Sequence, residues 1–326
     1  MTSSPLLAAA ARAARQDGVL TRAQVEAAGV PDALLRMLLR AGLWRRLFRG
    51  TFLVEVERSE AEQRRSWARA GVLAVTGAVV SHHSAAVLLG VQGVPRTGEL
   101  HLTRAASTAG RRGLRVHESP LAAHEVVDLD GLPVTSPVRT LSDLVPLLPA
   151  REALVVLDSA RYRGVLDEAA LAEAQERARG RRGYRTSQHV WALADPGAES
   201  PLESRARWDC LLQGLRPMKL QLRVHDDRGV LFARGDLAFD RNSPPVRGDD
   251  AVAALGTRAG RASGLLLPVV CEADGEEPHS RPAVLGYDRD RQNDLVGLRY
   301  PVVRVMWADT LVPGKVAAAV RKGLAT

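Results

Sequence analysis

Between residues 5 and 54 the apolar positions recur first at helical spacing and then in alternation. Thr21-Arg-Ala-Gln24 has the form of a capping box opening a short helix that Gly29 ends. Pro31 starts another helix, with Leu34, Leu35, Leu38 and Leu39 on its buried side and Gly42 at its end. From Leu43 to Val54 strand-forming residues surround Gly50, the pattern of a β-hairpin. With a first helix ahead of these two, three helices followed by a hairpin predict a helix-turn-helix with a wing.

The middle of the chain changes period repeatedly. Glu99–Leu102 and Gly113–His117 alternate as short strands, Asp130-Gly131 marks a turn, Ser136 caps a helix from Pro137, and further helices are expected near 150–160 and 166–179. The basic, glycine-broken run from Arg177 to Arg185 reads as an exposed linker able to touch phosphates. Ser200-Pro201-Leu202-Glu203 is then a helix start with a capping box; Leu202, Ala206 and Cys210 mark its buried side and Gly214 its end. Leu220, Leu222 and Val224 alternate toward a turn at Asp226–Gly229, and a second strand presents Asp236, Ala238 and Asp240 on one face. An apolar strand from Leu265 sets Val270, Glu272 and Asp274 on one side, after a Gly/Pro/Ala/Ser-rich stretch (242–263) that reads as an inserted loop.

Composition adds charge to this picture. The 326 residues carry a net charge of +8, which favours polyanions, but all but three of the 45 basic residues are arginines, a skew that a GC-rich genome also produces. Aromatics make up only 4%, so the cores must rest on Leu, Val and Ala. Cys210 and Cys271 provide neither a disulfide framework nor zinc-ligand spacing, and a reducing cytoplasm is the expected location. No signal peptide is expected, and no membrane span: the longest apolar stretch, Gly71 to Val80, stops at Ser81-His82-His83-Ser84, short of the ~18 residues a span requires. With no acid or cysteine at ligand spacing, His82 and His83 are expected to start a helix with one imidazole packed.

Two groups of residues carry candidate chemistry. From Ala33 to Val54 there is no acid, while Arg36 and Arg40 share one helix face and Arg45, Arg46 and Arg49 flank it, an arrangement suited to a major groove and its phosphates. A solvated helix face, or a winged helix serving protein contacts, would show the same residues. The second group is acidic. Glu203 alone reads as a capping residue and Asp236 alone as a turn acid after Gly235. Glu272 ends a buried strand, where a carboxylate is costly unless paired or metal-bound. Acids gathered from a helix and two strand ends can hold Mg²⁺, which takes oxygen ligands.

The order of Ser200-Pro-Leu-Glu-Ser204, the hairpin, Arg234-Gly-Asp-Leu-Ala-Phe239 and Val269-Val-Cys-Glu-Ala-Asp-Gly275 resembles the PD-(D/E)XK nuclease superfamily, and within it the very-short-patch-repair-like endonuclease domains. The resemblance implies catalytic Glu203, Asp236, Glu272 and Asp274, with Glu203, Asp236 and Glu272 holding Mg²⁺. Asp274 stands where the superfamily often has lysine, although aspartate is common there in that subfamily. It further implies a closing helix and strand at 287–295 and 300–307, Arg291 and Arg304 as phosphate ligands, and His279 near the site.

The head and middle resemble actinobacterial AbiEi-type antitoxins through Gly18-Val-Leu-Thr-Arg-Ala-Gln-Val25, the wing Arg45-Arg-Leu-Phe-Arg-Gly-Thr-Phe52, Val80-Ser-His-His-Ser-Ala-Ala-Val-Leu-Leu-Gly90 and Leu132-Pro-Val-Thr-Ser-Pro-Val-Arg-Thr-Leu-Ser-Asp143. Such antitoxins of type IV systems bind their own promoter and oppose a nucleotidyltransferase toxin without holding it. The expected fold is mixed α/β (α+β) in three parts: a winged helix-turn-helix DNA-binding domain (1–60), an α/β connector (61–194) and a restriction-endonuclease-like domain (195–326). The expected function is duplex DNA binding in an antitoxin-like or regulatory role, with Mg²⁺-dependent DNA cleavage by the tail. The alternatives are a non-catalytic transcriptional regulator whose nuclease fold is a scaffold, and a protein-interaction module.

Overall fold

The computed structural model describes residues 4–106, 112–225, 231–241, 266–274 and 300–325. The fold is mixed α+β with three sheets. The expected three parts divide the chain by role; by compactness it forms two units, residues 1–148 with 165–188, and residues 149–164 with 189–326.

The first unit begins with α1 (Pro5–Ala14), β1 (Val19–Thr21), α2 (Arg22–Ala27), α3 (Asp32–Arg40), β2 (Trp44–Phe48) and β3 (Thr51–Val54). The Gln24 amide donates to Thr21 Oγ1 at 3.2 Å and the Thr21 amide to Gln24 Oε1 at 2.9 Å, closing the expected capping box. Gly29 and Gly42 follow α2 and α3 in the left-handed region (φ +77° and +71°), where a side chain would be strained. Pro31 caps α3 rather than opening it, and of the four leucines Leu35 and Leu38 are fully buried, with Leu34 and Leu39 half-buried. They pack with Ala9, Leu20, Val25, Trp44 and Phe52 under a three-stranded sheet of order β1-β3-β2, the winged helix that the pattern predicts.

The same unit continues with α4 (Glu60–Ala74), β4 (Val79–Val80), α5 (His82–Leu88), β5 (Leu100–Arg104), β6 (Leu114–Glu118), β7 (Val126–Leu129), β8 (Leu132–Thr135) and α6 (Pro137–Leu144), and includes α8 (Glu168–Ala178). Its sheet has the order β6-β5-β4-β8-β7, with β5/β6 and β4/β8 parallel. Asp130 and Gly131, at φ +51° and +76°, turn β7 into β8. Helix α4 lies close on the sheet at Gly71, where a Cβ would sit 2.1 Å from a Leu100 methyl. Under α6, Arg139 donates to Asp143 (2.7 Å) and Glu125 (3.1 Å), all three buried. Arg177 pairs with Glu125, and Arg181 with Asp143 at 2.6 Å. The run expected as an exposed linker therefore begins inside α8, and two of its arginines neutralise carboxylates that burial would otherwise penalise.

The second unit contains α7 (Ala150–Tyr162), α10 (Pro201–Leu212), β9 (Lys219–His225), β10 (Leu231–Phe239), β11 (Val269–Ala273), β12 (Val302–Val305) and α11 (Lys315–Ala325); α9 (Tyr184–Trp191) crosses the boundary between the units. Strand order is β12-β11-β10-β9, antiparallel from β9 to β11 and parallel between β11 and β12. On one side Leu237, Phe239, Val269 and Cys271 pack against Ala206 and Cys210 of α10 and Val316 and Val320 of α11. Leu222, Val224, Ala238, Val270 and Tyr300 form a second cluster. Asp158 of α7 accepts two 2.7 Å bonds from Arg207 of α10, and Asp209 accepts from the amides of Gly314 (2.6 Å) and Ala317 (3.1 Å), capping α11. The turn at Asp226–Gly229, the stretch 242–263, His279 and the segment with Arg291 lie outside the described residues.

Candidate nucleic-acid interface and metal centre

On the winged helix, Arg36 and Arg40 of α3 and Arg45, Arg46 and Arg49 of the wing are all exposed. Their spacing follows from α3 burying Leu35 and Leu38, which leaves Arg36, Met37 and Arg40 on the outer face. Among the described residues Arg45 alone of the five has an ion-pair partner, Glu55. The Arg46 guanidinium lies over the Phe52 ring, 5.8 Å from its centroid. The other four exposed arginines, without ion-pair partners among the described residues, leave the cationic face that contact with phosphates requires.

In the second unit the acidic residues come from three elements. The antiparallel register that pairs Leu237 with Cys271 brings Asp236 up to Glu272 on the neighbouring strand. Asp236 is thus on the strand that the alternation predicts, and the alternative of a turn acid after Gly235 falls away. Gly235 has a packing reason instead: its missing Cβ would stand 2.2 Å from Val270 Cγ1. The Asp236 carboxylate accepts from the Ala273 amide at 2.8 Å, which fixes its direction. Glu272 pairs in register with Arg304 of β12.

Glu203 sits in the first turn of α10. Ser200 Oγ accepts from its amide at 3.2 Å, the capping half that the sequence predicts. Its carboxylate does not complete that box. It accepts instead from the Glu199 amide at 2.9 Å and from Gln221 Nε2 at 2.8 Å. Gln221, which the sequence pattern did not single out, stands between Leu220 and Leu222 of β9 with a left-handed backbone (φ +52°). Its polar place in the alternation is ordinary, so no sequence signal singles it out; the left-handed backbone that redirects it is seen only in the structure. Glu199, in turn, holds Arg234 through two bonds of 2.9 and 3.0 Å.

Burial pushes the Glu203 carboxyl up to about 7, and the nearby Asp236 charge adds to the shift. Glu272 is also pushed up to about 7, by burial and then by Asp236, against the lowering effect of Arg304. Asp236 itself is raised by burial, with the Ala273 amide opposing. Glu272 Oε2 is buried and, among the described residues, without a hydrogen-bond partner. Asp274 is exposed on the strand end beside them. An all-oxygen donor set, mutual repulsion and an unsatisfied carboxylate oxygen fit a hard divalent cation. The oxygens do not stand at closed coordination distances: among the described residues, the trio whose ligand atoms all lie within 4.8 Å of one another is made of histidines, His82, His101 and His117.

Known proteins can be set beside this geometry. Residues 8–54 match the family described as "Transcriptional regulator, AbiEi antitoxin", so the winged helix is similar to the domain of those regulators. Two uncharacterized proteins of Mycobacterium tuberculosis, MT2308 (strain CDC 1551 / Oshkosh) and Rv2248 (strain ATCC 25618 / H37Rv), are each 27% identical over 213 residues, 65% of this chain and 68% of theirs. The crystal structure of the RV2827C protein from Mycobacterium tuberculosis is 18% identical, with a TM-score of 0.35, covering 59% of this chain and 82% of that one. Among the described residues no helix is long and apolar enough to cross a membrane.

Proposed function

We propose that the protein is a duplex-DNA-binding regulator of the antitoxin type whose tail is a Mg²⁺-dependent DNA endonuclease. Arg36 and Arg40 would read or grip the major groove, with Arg45, Arg46 and Arg49 on flanking phosphates. In that antitoxin-type role its site is a promoter, and it opposes a nucleotidyltransferase toxin without binding it. The tail reading rests on one observation above others: strand pairing brings Asp236 up to Glu272, whose second oxygen is buried without a partner among the described residues.

Glu203, Asp236 and Glu272 would hold the ion, which when bound supplies charge neutralisation for a scissile phosphate and a lowered pKa for water. The remaining parts belong to the chain. The Ala273 amide orients Asp236, Gln221 and the Glu199 amide hold Glu203, and Arg304, beside Glu272, offers a cation to a phosphate. The order α10, β9–β10 hairpin, β10 with Asp236 and β11 with Glu272 follows the helix-hairpin-strand-strand order of very-short-patch-repair-like endonucleases.

Supercoiled plasmid incubated with the full chain and Mg²⁺ or Mn²⁺ should be nicked or linearised, while EDTA and Asp236→Asn should each abolish cleavage. Duplex binding without any metal-dependent cleavage would leave the tail as a scaffold and the protein as a non-catalytic regulator.

A further inference from the structure

Four of the chain's eight histidines converge at one place in the first unit, far in sequence from the acids. His82 and His83 open α5, His101 lies on β5, and His117 lies on the parallel strand β6, where Thr103 is its register partner. His101 Nδ1 stands 3.0 Å from His117 Nε2. The ring of His82 stacks on that of His117 with centroids 3.7 Å apart, and the ring of His83 is 4.6 Å from that of His101. His82 and His101 are only 7% and 4% exposed.

The plainest explanation of such a cluster is four neutral imidazoles filling a core. Three observations go against it. His83 Nδ1, on the ring offered to the fourth position, is buried without a hydrogen-bond partner among the described residues, and such an orphan costs about 1–3 kcal/mol. His82 holds a left-handed backbone (φ +49°), a conformation non-glycine residues seldom adopt without a reason. Finally, Thr103 donates its hydroxyl to Ser81 Oγ at 2.8 Å, and Ser81 Oγ lies 3.0 Å from His82 Nδ1. In the tautomer that carries its proton on Nδ1, Ser81 Oγ accepts that proton and the Nε2 lone pair of His82 is free for a metal, the role that outer-sphere partners of metal-bound histidines play.

We propose that His82, His101 and His117 form a binding site for a borderline transition-metal cation, with Zn²⁺ the best match to an all-imidazole set and His83 or water in the fourth position. Nitrogen donors exclude Mg²⁺ and Ca²⁺ and suit zinc and its neighbours. Two imidazole nitrogens on one tetrahedral zinc stand about 3.4 Å apart, given Zn–N distances of about 2.0–2.1 Å, close to the 3.0 Å between His101 and His117. Closing the site requires the His82 ring to turn out of its stack on His117. Arg115 and Arg139 lie near enough to oppose added positive charge, so the ion is held less tightly than where a carboxylate backs the histidines. His83 also lines a cavity of about 260 Å³ with Arg64, Trp67, Arg96 and Glu99.

Metal-stripped full-length protein, kept in excess Mg²⁺ to occupy the carboxylates, should bind one equivalent of Zn²⁺ by isothermal titration. The His101→Gln, His117→Gln double variant should weaken binding by about a hundredfold or more, Ser81→Ala by about ten- to a hundredfold, and Asp236→Asn not at all. Should the double variant fail to fold, X-ray absorption of the wild-type zinc complex decides, since it must show imidazole nitrogen at about 2.0 Å. No zinc bound by wild type, equal binding by a folded double variant, or an oxygen- or sulfur-only absorption spectrum would overturn the proposal.

Discussion

Titration separates the buried histidines from the buried glutamates. His82, His101 and His117 are driven down to about 2, 3 and 4, by burial first and then by neighbouring histidines and arginines, from 6.5 in the open chain. Their folded state disfavours protonation, so they contribute stability that is present above about pH 6.5 and lost as the pH falls below it. Glu203 and Glu272 run the other way. Both rise from 4.5 to about 7, so in metal-free protein their contribution is most favourable below about pH 4.5 and is lost as the pH climbs through about 7. Hydrogen exchange of metal-free protein, corrected for intrinsic rates, should therefore show opposite trends between about pH 7.5 and 5. Peptides covering residues 82–89 and 100–104 should lose protection on acidification while those covering 201–212 and 269–273 gain it. Parallel trends in both sets would mean that burial does not set these proton affinities. The histidine cluster was illegible in sequence because it joins positions 82, 101 and 117 across a helix start and two strands. Ligand spacing along the chain reports only local sites.

Helix α3 and strands β10 and β11 show what element-level patterns reveal and where they stop. The capping box, the glycine stops and the hairpin around Gly50 are local signals, and the structure reproduces each of them in the head. For Glu203 the same local rule foretold the Ser200 cap but not that its carboxylate turns away to Gln221, which lies on another element. For Asp236 the alternation foretold the strand, and what it could not foretell is that pairing with β11, more than thirty residues on, sets this carboxylate beside Glu272. For α3 the prediction is direct. Changing Arg36 and Arg40 together to Ala should weaken duplex DNA binding without unfolding the head, because both side chains are exposed. The salt slope of the affinity should shrink by about one unit for each phosphate that the variant no longer neutralises. Fluorescence anisotropy giving the wild-type affinity and slope would remove α3 from the interface.

At the scale of the whole chain, a net charge of +8 suits a polyanion partner, and the exposed arginines of the head give that charge a place to act. The chain crosses between compact units, with α7 placed among tail elements by Asp158 and Arg207, forty-nine residues apart. Hydrophobic periodicity locates helices and strands but cannot foretell such a crossing, because it carries no information on which buried charge meets which. Everything proposed for the tail depends on its acids holding a divalent cation. Melting of the full-length protein tests this without any substrate. Ligand binding to the folded state stabilises by RT ln(1 + [L]/Kd), so Mg²⁺ at about 100 Kd should add roughly 2.7 kcal/mol and raise Tm accordingly. Asp236→Asn should abolish that shift, and Glu203→Gln should reduce it if Glu203 is a ligand as well as a capped helix start. Wild-type protein that melts at the same temperature with and without saturating Mg²⁺ would contradict a metal centre at Glu203, Asp236 and Glu272.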